Sequence, residues 1–176
     1  MSVAQVVLGQ LNLSANFQQT PTGQLNGSPY SQIITDNLQY VNGTGVNYGV
    51  DQLYAETNSG LVSTTKTYHF ETATLKDPFG NTLAMARIRE LIIQNTETTL
   101  THILKVYAPA SNAITWLPPV ANFLTVPPGG VLRISDPLSF GGGVGNVVGA
   151  TSDGLMLDSG SFTVGYKILV LGCSAA

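Results

Sequence analysis

The chain has 176 residues, 10% of them charged, with a formal net charge of −3, two histidines and one cysteine. Seven Lys and Arg in total leave no basic stripe for nucleic acid, and the single Cys173 excludes an internal disulfide and a cysteine-only zinc site. Hydrophobic residues make up 43%, enough for the core of one domain, while the polarity comes from hydroxyls and amides, which are poor acids and bases near neutral pH.

The N-terminal region is the least ordinary. The first charged side chain is Asp36 and the first basic one is Lys66. Met1-Ser-Val-Ala-Gln5 lacks the positive region of a signal peptide, so the expectation is a mature, cytosol-made protein. No apolar run approaches the roughly 18 residues of a membrane span, and no membrane partner is expected. Sequons at Asn12, Asn26 and Asn42 read as loop composition. Residues 4–13 suit a strand. Residues 14–30, rich in Gln, Thr, Gly, Pro and Asn, read as an extended arm or long loop, and 33–41 as another short strand. Asn42-Gly-Thr-Gly-Val-Asn47 is a turn or irregular loop. Residues 1–41 are therefore expected to be an N-terminal arm and 42–176 a β-sandwich domain. Two readings stand for the apolar arm residues Val6, Val7, Leu8 and Leu11. They add a strand to a neighbour's sheet edge, or they form the first strand of their own sandwich.

Strands are predicted from residue 61 onward. Residues 61–70 are Thr-rich and β-branched. Asp77-Pro-Phe-Gly-Asn81 is a tight connection in which Pro78 presets one dihedral and Gly80 supplies a positive one. A long strand is predicted over 82–94. Its stretch Ile88-Arg-Glu-Leu-Ile-Ile93 does not alternate cleanly and predicts a bulge or a change of face. Short strands follow at 103–107 and 122–126. Pro127-Pro-Gly-Gly130 is a turn, after which 131–135 pairs back or crosses over. Residues 140–149 form a glycine-rich loop and 154–157 a strand. In the last strand Phe162, Val164, Tyr166, Ile168 and Val170 share one face, and Leu169 and Leu171 make the other partly apolar, as suits a central position. The fold expectation is all-β, an antiparallel β-sandwich of jelly-roll type with about eight strands and an extended N-terminal arm.

Candidate chemistry is sparse. His69 and His102 have no second ligand nearby in sequence and read as strand residues. No Gly-x-Ser-x-Gly elbow is present. Asp153 with Asp158, and Asp51 with Glu56, lack the dense oxygen spacing of a calcium loop. Gly141-Gly-Gly-Val-Gly145 fails the dinucleotide spacing because Asn146 stands where the third Gly belongs. No catalytic, cofactor or metal residue is assigned. Tyr48, Asp51 and Tyr54 are a thin candidate for a sugar site. Trp116 is an interface candidate, with core packing as its alternative.

Four motifs occur in order: Asn42-Gly-Thr-Gly-Val-Asn47; Asp77-Pro-Phe-Gly-Asn81 leading to Ala86-Arg-Ile-Arg-Glu-Leu-Ile-Ile93; Leu124-Thr-Val-Pro-Pro-Gly-Gly-Val-Leu132; and Val164-Gly-Tyr-Lys-Ile-Leu-Val-Leu-Gly172. Over residues 40–172 this set resembles a family of small virion structural proteins of tailed bacteriophages. The resemblance implies a β-sandwich of jelly-roll type assembled on the particle, and carries over no catalytic residue. The expected function is a capsid decoration or cement protein, not an enzyme. It would sit on the outer surface of the capsid, with the major capsid protein and copies of itself as partners, a homotrimer ahead of a dimer. The alternative is a tail, baseplate or fibre-type component with a receptor- or glycan-binding role. A glycan hydrolase would need two carboxylates facing one cleft.

Overall fold

Runs of β-branched and aromatic residues between turn formers fold as strands. The computed structural model describes residues 10–19, 30–39, 41–43, 49–71, 74–136 and 151–174. The strands are β1 Gln10–Gln19, β2 Tyr30–Gln39, β3 Val41–Asn42, β4 Gly49–Val50, β5 Gln52–Val62, β6 Thr65–His69, β7 Arg87–Asn95, β8 Leu104–Tyr107, β9 Leu124–Val126, β10 Val131–Ser135, β11 Gly154–Asp158 and β12 Thr163–Cys173. Among the described residues the only helical piece is a 3-10 turn at Val120–Asn122.

Eight of these strands make two antiparallel sheets, ordered β10-β7-β12-β5 and β6-β11-β8-β9. The sheets pack face to face as a β-sandwich. Its core takes Leu91 and Ile93 from β7 and Tyr166, Ile168 and Val170 from β12. The facing sheet supplies Tyr68, Leu104, Val106, Leu155 and Leu157. Burying these side chains is the main stabilising term, at about 25 cal/mol per Å² of apolar surface. The connections β5–β6, β7–β8, β9–β10 and β11–β12 lie at one end of the sandwich. The connections β6–β7, β8–β9 and β10–β11 lie at the other, as the antiparallel pairing requires.

Strand β12 is central, between β7 and β5, as its two-faced pattern predicted. Val164, Tyr166, Ile168 and Val170 are buried together, but Phe162 precedes the strand and is 42% exposed. The expected irregularity in 88–93 is a bulge. Leu171 pairs with Glu90 and the next residue, Gly172, pairs with Ile88, so Arg89 is the extra residue. Its insertion puts Ile88 and Leu91 on the same inward face although they are three apart.

Two predicted strands have different bounds. Residues 61–70 are not one strand, because the chain turns at Ser63 (φ 42°) and passes from β5 in one sheet to β6 in the other. Ser63 N–H donates to Phe162 O and Thr64 N–H to Ser159 Oγ, and these bonds hold a turn that has neither Gly nor Pro. The strand predicted over 82–94 pairs continuously only from Arg87. Strand β5 was not predicted, because its inward positions include Glu56 and Asn58, where the pattern expects apolar residues.

Within the expected arm, β1 runs to Gln19, beyond residue 13. It pairs along its whole length with β2, from Gln10 opposite Gln39 to Gln19 opposite Tyr30. The alternation of Leu11 and Leu13 with Asn12 continues in the sequence through Ala15 and Phe17 against Ser14, Asn16 and Gln18, a strand pattern that runs on into residues that composition read as an arm or loop.

Candidate functional site

Among the described residues, the carboxylates singled out from sequence and His69 are tied into the sandwich by hydrogen bonds. His69 on β6 lies opposite Gly154 on β11, which brings its Nδ1 3.0 Å from Oδ1 of the fully buried Asp153. Asp158 ends the same strand, where it accepts from Gly160 N–H (2.7 Å) and Tyr107 Oη (3.5 Å). The two aspartates thus stand at opposite ends of β11, roughly 13–17 Å of extended chain apart. Asp51 accepts from Ser174 N–H at 2.8 Å, while Glu56 faces the interior. Among the described residues no group of three His, Cys, Asp or Glu could hold a metal ion. The sequence could not show that His69 has a carboxylate partner: Asp153 is 84 positions from His69 and arrives only through strand pairing.

Glu56 organises the edge where the two sheets meet. Tyr54 donates to its Oε2 (2.5 Å), Lys66 to its Oε1 (2.6 Å), and Tyr68 to Oε2 (3.3 Å). Tyr68 and Tyr166 hydroxyls are bonded at 2.7 Å, and Asn58 donates to Tyr166. Desolvation pushes the Glu56 pKa up, but the hydrogen bonds from Lys66 and Tyr54 outweigh it and hold the carboxyl below its ordinary range. Burial, with the neighbouring hydroxyls and carboxylate, pushes Tyr54 and Tyr68 far above the usual phenol value. Tyr166 is raised too, again chiefly by burial. This network joins β5, β6 and β12 in place of apolar contacts. It removes Tyr54 and Asp51 from the candidate sugar site, since Tyr54 is buried and Asp51 is engaged; Tyr48 lies outside the described residues.

The built surface feature is the end of the sandwich that carries the β5–β6, β7–β8, β9–β10 and β11–β12 connections. Buried Asn95, the last residue of β7, donates to His102 O (2.8 Å) and Val126 O (3.0 Å) and accepts from Glu97 N–H (3.0 Å). Glu97 then accepts from Gly165 N–H at 2.7 Å, and its other oxygen is 3.4 Å from His102 Nδ1. The His102 ring stacks on Phe162 with centroids 5.0 Å apart. These ties display Leu100 (86% exposed), Val62, Ile103 and Phe162 toward solvent. The four connections contain one acid, Glu97, and one histidine, His102. Grouped exposed apolar side chains with little charge have the character of a protein contact surface. Sequence reading missed it because Leu100 sits alone in a run of threonines.

At the opposite end, the Asp77 carboxylate accepts from Phe79 N–H, Asn81 N–H and the Asn81 amide, and Gly80 takes φ 88° as predicted. This rigid turn presents Phe79, 75% exposed. Of the residues singled out from sequence, Trp116 packs half-buried against the core, which favours its packing alternative. Val6, Val7 and Leu8 lie outside the described residues, and Leu11 pairs with Leu38 in the ribbon. No protein-family model, no curated protein and no solved structure matches the chain.

Proposed function

We propose that this chain is a virion structural protein, a capsid decoration or cement protein that stabilises a phage head by bridging capsomers. The observation that carries the reading is the charge-poor apolar end of the sandwich, Val62, Leu100, Ile103 and Phe162 held out on connections tied by Asn95 and Glu97. A clamp works by burying area at each seam, multiplied by symmetry and avidity. A sandwich with a charge-poor contact end suits that task, because it orders few side chains on binding.

Two further observations support the reading. The strand order β10-β7-β12-β5 over β6-β11-β8-β9 is the order we read as a jelly roll, since every connection except β8–β9 crosses between sheets. The ordered turn motifs over residues 40–172 resemble those of small phage virion proteins. On this reading the partners are the major capsid protein and copies of the chain itself, as a homotrimer with a dimer as runner-up. The site of action is the outer surface of the capsid, after synthesis in the host cytoplasm. No cofactor or nucleic acid takes part.

Quantitative mass spectrometry of purified virions tests it. Hundreds of copies in a simple ratio to the major capsid protein are expected. A handful would move the protein to the tail, baseplate or a single vertex, and absence would overturn the virion reading.

A further inference from the structure

One edge of the sandwich lacks the devices that keep strands from pairing. Among the edge strands, β9 has 3 residues, while β6 and β10 have 5 each and carry Lys66 and Arg133. Strand β5 has 11 residues and contains no Lys, Arg or Pro. Its single charge, Glu56, is turned inward to Lys66. It pairs with β12 on one side, and among the described residues no strand pairs with the other.

The register shows which backbone groups face the open side. Thr96 N–H donates to Gly165 O, so Gly165 turns its backbone groups toward β7. Alternation turns those of Tyr166, Ile168 and Val170 toward β5, where Asn58, Glu56 and Tyr54 lie opposite them. The N–H and C=O groups of Leu53, Ala55 and Thr57 are therefore directed outward from the sheet edge. Beyond them Asn58 Oδ1 accepts from Gly60 N–H, which closes that stretch. The side chains of Ala55 and Thr57 are exposed, so the open stretch is accessible. Backbone groups in such an array are matched by another extended strand.

We infer that β5 pairs antiparallel with β5 of a second copy, about a two-fold axis at Ala55, joining two four-stranded sheets into one. The strand itself selects this occupant. A two-fold contact satisfies both open edges at once, with Leu53 opposite Thr57 of the partner subunit and Ala55 opposite the partner's Ala55. Its charges meet without conflict. Glu56 falls opposite the partner's Tyr54, whereas an axis one residue further on would set it against the partner's Glu56. Lys167 is exposed, has no ion pair among the described residues and lies beside Thr57. Continuing the alternation of β5 puts the partner's Asp51 on the same face, roughly 12 Å from Lys167 between Cα atoms, a span the two side chains together cover. The inference rests on the self-association in the proposed function, where it selects the dimer, and not on capsid binding.

The test uses the full chain. Sedimentation should show a dimer of the native protein. Ala55→Pro removes an edge donor and blocks close approach, and proline is tolerated where a strand N–H faces outward, so the fold should survive. Dimerisation should weaken about tenfold or more at an unchanged melting temperature. A monomeric native protein, or a folded Ala55→Pro that associates as before, would overturn the inference. A second arm reads the register and does not depend on that variant folding. Ala55→Cys and Thr57→Cys are oxidised separately; native Cys173 is buried and does not compete. Residues paired at the axis are about 5.5 Å apart between Cα atoms, within disulfide range, so Ala55→Cys should give a covalent dimer. The two copies of residue 57 lie roughly 14 Å apart, so Thr57→Cys should stay uncrosslinked. No covalent dimer of Ala55→Cys, or equal cross-linking of both variants, would remove the contact. A monomer found in hundreds of copies per virion would sink this inference alone, and a β5-paired dimer absent from virions would sink the virion reading alone.

Discussion

At the scale of single residues, buried polar groups carry more than their number suggests. Asn95 satisfies two backbone carbonyls and one amide where the β7–β8 and β9–β10 connections meet. Its replacement by Ala leaves those groups buried without partners and should cost about 2–4 kcal/mol in urea unfolding. The same change should loosen the connection that displays Leu100. The tyrosines around Glu56 set a pH limit. The phenols of Tyr54, Tyr68 and Tyr166 are raised in the folded state, so the unfolded chain releases these protons at the ordinary phenol value of 10.0 while the folded molecule keeps them. Their contribution is therefore complete below that value and is lost as pH rises above it. Absorbance titration should show these three ionising only together with unfolding; normal titration in the folded protein would refute the network.

At the scale of elements, the bulge in β7 lets Ile88 and Leu91 both point inward, and Gly172 makes it possible. A Cβ on Gly172 would meet Arg87 O at 2.5 Å and Met85 Sδ at 2.7 Å. Backbone cannot move aside cheaply in a central pair of strands. Gly172→Ala should destabilise by about 2 kcal/mol or more, read as a lower denaturation midpoint at unchanged slope. The bulge was legible in the sequence as a break in alternation. Strand β5 was not, because Glu56 and Asn58 occupy inward positions and draw partners such as Lys66, Tyr68 and Tyr166 from other strands. The end of β5 at Ser63 was equally hidden, since its turn is held by Ser159 and Phe162 from the far end of the chain.

At the scale of the whole molecule, a charge-poor contact end predicts association governed by buried area. Binding to purified capsids should change by less than about threefold over a tenfold range of salt, because few ion pairs contribute. A steep salt dependence of capsid binding would contradict the assignment of this contact end. Deletion of residues 1–35 should weaken the oligomer or its attachment to capsids. If both survive intact, the arm has no assembly role. Leu100→Asp combined with Phe162→Asp should reduce binding to purified capsids while leaving the melting temperature nearly unchanged, since Leu100 is 86% and Phe162 42% exposed.

The sequence by itself determined the all-β class, the central position of β12, the turn at 77–81 and the scarcity of groups able to do acid–base chemistry. Those properties follow from alternation, turn residues and composition, all of which are local or additive along the chain. The tertiary structure decided that His69 meets Asp153, where the tyrosines converge, and that Leu100 and Phe162 share one end. Each of these depends on strands far apart in the chain lying side by side, and pairing over such separations is set by the packing of the two sheets together, not by any segment alone.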